Sequence, residues 1–203
     1  MHPTELEKQL SFLREIDRLK TVVRQSPLLD RSRKENSAEH SWHLATYALV
    51  LSDYADGAVD TARVMKMLLL HDIVEVDVGD HPIHGGTSSA WQAEQESRAA
   101  ARLFGLLPPS QRDELLALWT EFEQALTEDA MFAKALDRFQ PLLVNIFTDG
   151  GTWAEQGVSM EQVLSRYGPV IQRGAPRLWA LSEQWVRAHF SKQDAKRQGL
   201  QPG

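Results

Sequence analysis

Apolar residues recur at intervals of three and four along nearly the whole chain, as in Leu10, Leu13, Ile16, Leu19, Val22 and Val23, and sustained alternation is hard to find. A stripe of that period lies along one side of a helix but scatters over both faces of a strand, so the pattern predicts an all-α fold. The first helix is expected over residues 4–24, ending before Ser26-Pro27, because a residue that precedes proline is pushed out of the helical region. Ser37 offers an N-cap for a helix carrying His40, Trp42 and His43. Asp60 caps the next, which runs through Val64, Met67 and Leu68 and ends with His71-Asp72 late on it. Further helix starts are expected at Ser89, Ser110, about Glu128, Ser159 and Pro176. The stretch from Gly79 to Gly86, with Asp80, His81, Pro82 and His84 between, reads as a loop.

The chain has 203 residues, 42% of them hydrophobic and 25% charged, which suits a single helical domain over residues 1–190 followed by a polar tail over 191–203. The absence of cysteine excludes disulfides, iron–sulfur clusters, thiolate zinc sites and cysteine nucleophiles, so any metal must sit on nitrogen and oxygen. A net charge of −6 argues against the broad basic face that long nucleic acids require. Basic residues gather only locally, at Arg18, Lys20, Arg24, Arg31, Arg33 and Lys34, mostly as a solvated face. No window approaches the roughly 20 apolar residues of a membrane span and the start does not resemble an export signal, so a cytoplasmic location is expected.

In Leu68-Leu69-Leu70-His71-Asp72-Ile73-Val74-Glu75, a run of leucines leads into ionisable groups, and helical spacing puts Glu75 one turn beyond His71. Burying unpaired charge is costly, so an acid and an imidazole at the end of such a helix call for a cation or a hydrogen-bonding partner. With His40 upstream, imidazole and carboxylate together suit a divalent metal, and an open nitrogen–oxygen site suits hydrolysis. Asp137 adds a further ligand candidate. Pro141 lies four residues on, without an N–H for the carbonyl of residue 137, so the backbone there is expected to bend or loosen, or Pro141 to start a new helix.

The ordered set Glu39-His40-Ser41, His71-Asp72 with Glu75 and Gly79-Asp80, and Lys134-Ala135-Leu136-Asp137 resembles the H…HD…D signature of the HD-domain superfamily, closest to its 5′-deoxynucleotidase branch. The resemblance implies a helical HD-domain bundle with His40, His71, Asp72 and Asp137 as metal ligands, Glu75 and Asp80 as the catalytic acids, and Arg24 beside the substrate phosphate. It also implies one divalent ion (cobalt, manganese, zinc, iron, nickel or magnesium), a nucleoside 5′-monophosphate substrate and a homodimer. One position departs from the branch: Gln25 stands where a tryptophan helps select the sugar, so the resemblance supports metal and phosphate more than 2′-deoxy selectivity.

The expected chemistry is removal of the 5′-phosphate by water activated at the cation, with Glu75 and Asp80 managing protons in an order the sequence leaves open. Three alternatives stay open beside it. One is a di-iron oxygenase on the same scaffold, for which His81 and His84 are the available extra donors; another is a hydrolase of a polyphosphate or cyclic dinucleotide; the third is a non-catalytic nucleotide-binding or interaction module, against which the intact ligand set with Glu75 and Asp80 speaks. His43 and Trp42 read as packing or support, and Asp77 as pointing away from Glu75.

Overall fold

The computed structural model describes residues 3–81, 83 and 89–197. Helices dominate: α1 (Glu5–Ile16), α2 (Ser37–Leu51), α3 (Thr61–Leu70), α4 (Glu75–Val78), α5 (Ser89–Phe104), α6 (Pro109–Gln124), α7 (Glu128–Phe147), α8 (Gly151–Gln156), α9 (Met160–Gly174) and α10 (Pro176–Arg197). The all-α expectation holds, with one addition. Strands β1 (Val23–Pro27) and β2 (Lys34–Asn36) form a small antiparallel hairpin.

That hairpin corrects the expected first helix. The α-helix stops at Ile16, a 3₁₀ turn follows over Asp17–Thr21, and the chain then extends. Thr21, Val22 and Val23 are β-branched in succession, which disfavours helix and favours the pleated backbone. Pairing joins Val23 to Asn36 and Pro27 to Lys34, so β1 carries extra residues opposite Glu35 and must bulge. Along β1 Val23 and Gln25 face out, while Arg24 and Pro27 are partly and Ser26 fully covered.

Most helix starts fall where capping chemistry places them. Asp60 accepts from the Arg63 N–H at the head of α3, and Ser159 with Gln162 forms a capping box for α9. The cap of α2 is Asn36, in a capping box with Glu39, one residue before the expected Ser37; Ser37 is thereby freed to face the interior. Helix α7 continues through Pro141 without a break, and α10 continues past Ser191 to Arg197.

Two apolar clusters hold the helices together. The larger joins α2, α3, α7, α9 and α10 through Leu44, Met67, Phe132, Leu136, Ile171 and Val186. Gly174 lets α9 press against α7: a Cβ there would meet the Met131 carbonyl oxygen at 2.1 Å. The smaller cluster packs Phe12 of α1 and Leu103 and Phe104 of α5 against Ile73 and Val74. His71 and Asp72 lie just before that last pair, at the boundary of the two clusters, and the polar site opens there.

Candidate metal and phosphate site

His71 and Asp72 are not on a continuing α-helix as expected. They open a 3₁₀ turn, His71–Val74, between α3 and α4. The tighter turn buries Ile73 and Val74 in the smaller cluster while His71, Asp72 and Glu75 all line one polar cavity of about 170 Å³. His71 Nδ1 lies 2.7 Å from the Leu68 carbonyl, an acceptor only, so this nitrogen carries the proton and Nε2 is turned into the cavity. Trp119 donates from its indole N–H to the carbonyl of His71 at 3.2 Å and fixes the backbone there.

His40 enters from the first turn of α2 and is completely buried. Its Nε2 lies 3.2 Å from Asp137 Oδ1, which is also 3.6 Å from His71 Nε2. Asp137 divides its oxygens: Oδ2 accepts from Arg138 at 2.9 Å, leaving Oδ1 between the imidazoles. Asp72 is divided likewise, with Oδ1 3.0 Å from His71 Nε2 and Oδ2 accepting from Arg24 at 2.9 Å. His40, His71 and Asp72 can offer ligand atoms that all lie within 4.8 Å of one another, with Asp137 Oδ1 against both rings.

These residues fit a divalent ion. His71 Nε2 is buried, faces two carboxylate oxygens and has no aligned hydrogen-bond partner among the described residues, so the space between these atoms suits a positive charge, a proton in the metal-free protein or a divalent ion in its place. The donors are neutral-capable imidazoles and carboxylates, a hard-to-borderline set suited to first-row divalent metals. The electrostatics agree. Burial opposes charge on His71, but the carboxylates of Asp72 and Asp137 outweigh it and push its pKa up to about 10. Burial likewise opposes ionisation of Asp72 and Asp137, yet His71 and Arg24 hold the first, and Arg138 with both histidines the second, below the ordinary carboxylate range. A buried carboxylate pair held ionised beside two imidazoles has the charge and donor set that a divalent cation requires.

Arg24 reaches this cluster from β1. Its guanidinium lies within 4 Å of four carboxylates: Asp72 at 2.9 Å, Asp80 at 3.4 Å, Glu75 at 3.7 Å and Glu35 at 3.8 Å. Glu75 accepts a short hydrogen bond from Ser37 Oγ, and its carboxyl is raised well above the ordinary range by burial and by Asp72, with Arg24 opposing. Asp80 is raised too, through burial, with Arg24 again opposing.

The chain therefore brings together all seven residues singled out from sequence. The other basic residues of that N-terminal cluster stay outside: Arg18 pairs with Glu15, Lys20 with Asp17 and Arg33 with Glu39 at the surface. Gln25 faces outward to accept from Lys34 at 2.8 Å. Asp77 pairs with Arg102. His81 lines the cavity but is not among the clustered ligands of the described residues, and His84 lies outside those residues. His43 stacks on Trp42 and meets Tyr47 edge-on, and Trp42, expected to pack, is instead 65% exposed.

Sequence reasoning missed Glu35, Ser37 as a partner of Glu75, and Gln140, whose side-chain amide donates to Glu35 at 3.2 Å. Lys134 and Arg138 also line the cavity. Glu35 stands in the hydrophilic run Arg33-Lys34-Glu35-Asn36, which reads as surface; only a strand there, turning alternate residues inward, would have marked it.

Known proteins resemble this chain along most of its length. The model of the HD domain family matches residues 16–179. The 5′-deoxynucleotidase HDDC2 of Danio rerio is 28% identical over 139 residues, 68% of either chain. Its Mus musculus counterpart is 31% identical over 135 residues, 66% of either chain. The crystal structure of a predicted metal-dependent phosphohydrolase from Magnetospirillum magnetotacticum MS-1 superposes with a TM-score of 0.87 at 51% identity, covering 93% of this chain and 97% of that one. With the family match spanning most of the chain and carrying every candidate ligand, this protein belongs to the HD domain family.

Proposed function

We propose that the protein is a metal-dependent phosphohydrolase that removes the 5′-phosphate of ribo- or deoxyribonucleoside monophosphates. The observation that carries this reading is the pairing of a two-histidine, two-aspartate cluster with one buried arginine, Arg24, at its edge. The HDDC2 relatives, named as 5′-deoxynucleotidases, and the similar metal-dependent phosphohydrolase support the same class.

His40, His71, Asp72 and Asp137 hold the ion in this reading. A bound divalent ion supplies Lewis acidity at a phosphoryl oxygen and lowers the pKa of a nearby water. Arg24 binds the phosphate. Its charge is secured by the surrounding carboxylates, and its planar fork matches phosphate oxygens. Water attacks phosphorus, the P–O5′ bond breaks, and the departing oxygen takes a proton. Glu75 is the donor that the site favours: it is buried beside Asp72, which resists a second charge, and Ser37 fixes its orientation. Asp80, which lines the same cavity across Arg24, takes the proton of the attacking water. The reading extends to a homodimer in the cytoplasm. Trp42, Leu49 and Val50, exposed on the outer face of α2, offer it an apolar surface to cover.

The test is phosphate release from a panel of mono-, di- and triphosphates and cyclic dinucleotides with several divalent metals. Metal-dependent release from nucleoside monophosphates, abolished by chelation, is expected. Oxygen consumption with two irons per chain, or turnover confined to the other nucleotides, would overturn the assignment. In Glu75→Gln the rate should fall about a hundredfold with metal still bound, the scale of losing one general acid.

A further inference from the structure

Glu35 is a buried acid that the chemistry above does not use. Only 4% of its surface is exposed, although Arg33 and Lys34 before it and Asn36 after it are all polar. Its Oε2 lies 3.3 Å from His40 Nδ1, close enough for an ion pair but not aligned as a hydrogen bond, and neither atom has a hydrogen-bond partner elsewhere among the described residues, so each is the group nearest to satisfying the other. Its Oε1 accepts from Gln140 Nε2 at 3.2 Å. Gln140 is itself 1% exposed and stands on α7, three residues beyond Asp137.

The contacts close a ring. Asp137 and Gln140 project from one face of α7, one turn apart. Asp137 meets His40 at Nε2, while Gln140 holds the carboxylate that meets His40 at Nδ1. We infer that Glu35 is a positioning residue, fixing the His40 ring so that Nε2 alone faces the metal centre, and that Gln140 holds Glu35 in place. The inference rests on the metal reading of the site.

The physical need is specific. An imidazole can present either nitrogen, and a half-turn about its ring bond exchanges them with carbons. A carboxylate beside Nδ1 favours the proton there and leaves the Nε2 lone pair for a cation, the usual arrangement behind a ligating histidine. His71 obtains this from the Leu68 carbonyl of its own helix. His40 sits in the first turn of α2 and must find its acceptor across space. Glu35 is not placed to ligate the same ion, because it meets the ring at the nitrogen opposite the centre. The same carboxylate lies 3.8 Å from Arg24 Nε, tying the phosphate group to the ligand it must work beside.

The test titrates Mn²⁺ or Co²⁺ calorimetrically into chelator-stripped full-length protein. Glu35→Gln should keep the fold and the stoichiometry while weakening metal affinity about 10- to 100-fold, the usual effect of losing such a partner. Gln140→Met, which removes only the anchor, should weaken it several-fold. A purely structural role would lower the melting temperature and leave affinity of the folded protein unchanged; Glu35→Gln affinity within about twofold of wild type would overturn the inference. A fall in stoichiometry would also overturn it, by making Glu35 a ligand. If Glu35→Gln does not fold, Gln140→Met decides by the same readout. Wild-type protein that binds no metal would instead sink the functional reading itself, and this inference with it.

Discussion

The two histidines at the centre of the site are equally sheltered from water, yet they are held in opposite ways. His71 sits in a turn that supplies its own restraint: the Leu68 carbonyl holds one ring nitrogen at 2.7 Å and Asp72, its chain neighbour, faces the other. His40 is held from afar, by a carboxylate on the hairpin and a carboxylate on α7, with Gln140 behind the first. A ligand held by its own segment survives changes elsewhere in the fold, whereas a ligand held by two distant segments reports on both of them. The turn should therefore fail all at once, and the hairpin side by degrees.

The largest expected effect removes the turn's carboxylate. Asp72→Ala strips His71 of its neighbour and Arg24 of its closest partner, and phosphate release should drop about a thousandfold, on the scale of deleting a group that acts in the transition state. Metal content measured on the same protein should fall with it; full activity would mean that the chemistry lies elsewhere.

A graded loss is expected on the hairpin side. Arg24→Ala should lower kcat/KM about 30-fold, chiefly through KM, as for loss of one charge-assisted hydrogen bond, while the metal stays bound. Loss of metal in that variant would erase the contrast between the two halves.

The same contrast should appear in the pH dependence of stability. His71 has its folded pKa raised to about 10 from the ordinary imidazole value of 6.5, so its contribution is fully present below pH 6.5 and is lost as the pH rises through about 10. Glu75, also raised, acts in the same direction from a lower starting pH. Thermal melts of chelator-stripped protein should fall across pH 6.5 to 10, and added metal should flatten the curve, since the ion takes the neutral ring. A flat profile in stripped protein would contradict the charge arrangement around the turn.

The smallest effect concerns the outer face of α2. Trp42 touches His43 but is largely exposed on the single chain, so Trp42→Ser should change the stability of the monomer by no more than about 0.5 kcal/mol and leave metal affinity intact, its effect falling on dimerisation instead. A marked loss of affinity would mean that His40 is steadied from its own helix, after all, rather than from the hairpin.

The same division governs what could be read from the chain. Helical period and capping residues marked most helices, and the His-Asp dipeptide with its leucine run marked the candidate ligands, though on a helix rather than the 3₁₀ turn that carries them, because these signals are local. Asn36 rather than Ser37 as the cap of α2 is a one-residue shift, decided by which side chain the capping box with Glu39 engages. The hairpin was hidden. Val22 and Val23 continue the helical period of α1, and three β-branched residues in a row outweigh that period only because pairing with β2 rewards the extended chain. With the hairpin went Glu35, whose burial depends on α7 more than a hundred residues away, a contact that no local pattern encodes. Arg24 was found by resemblance, yet the strand that delivers it was not.

The most direct test is a crystal structure of the protein grown with Mn²⁺ or Co²⁺, with the ion located by its anomalous signal. The account predicts one ion bound by His40 Nε2, His71 Nε2, Asp72 and Asp137 at roughly 2.0 to 2.2 Å, with Arg24 beside an open coordination position. An ion held elsewhere, or one that leaves His40 or Asp137 outside its ligand set, would contradict it.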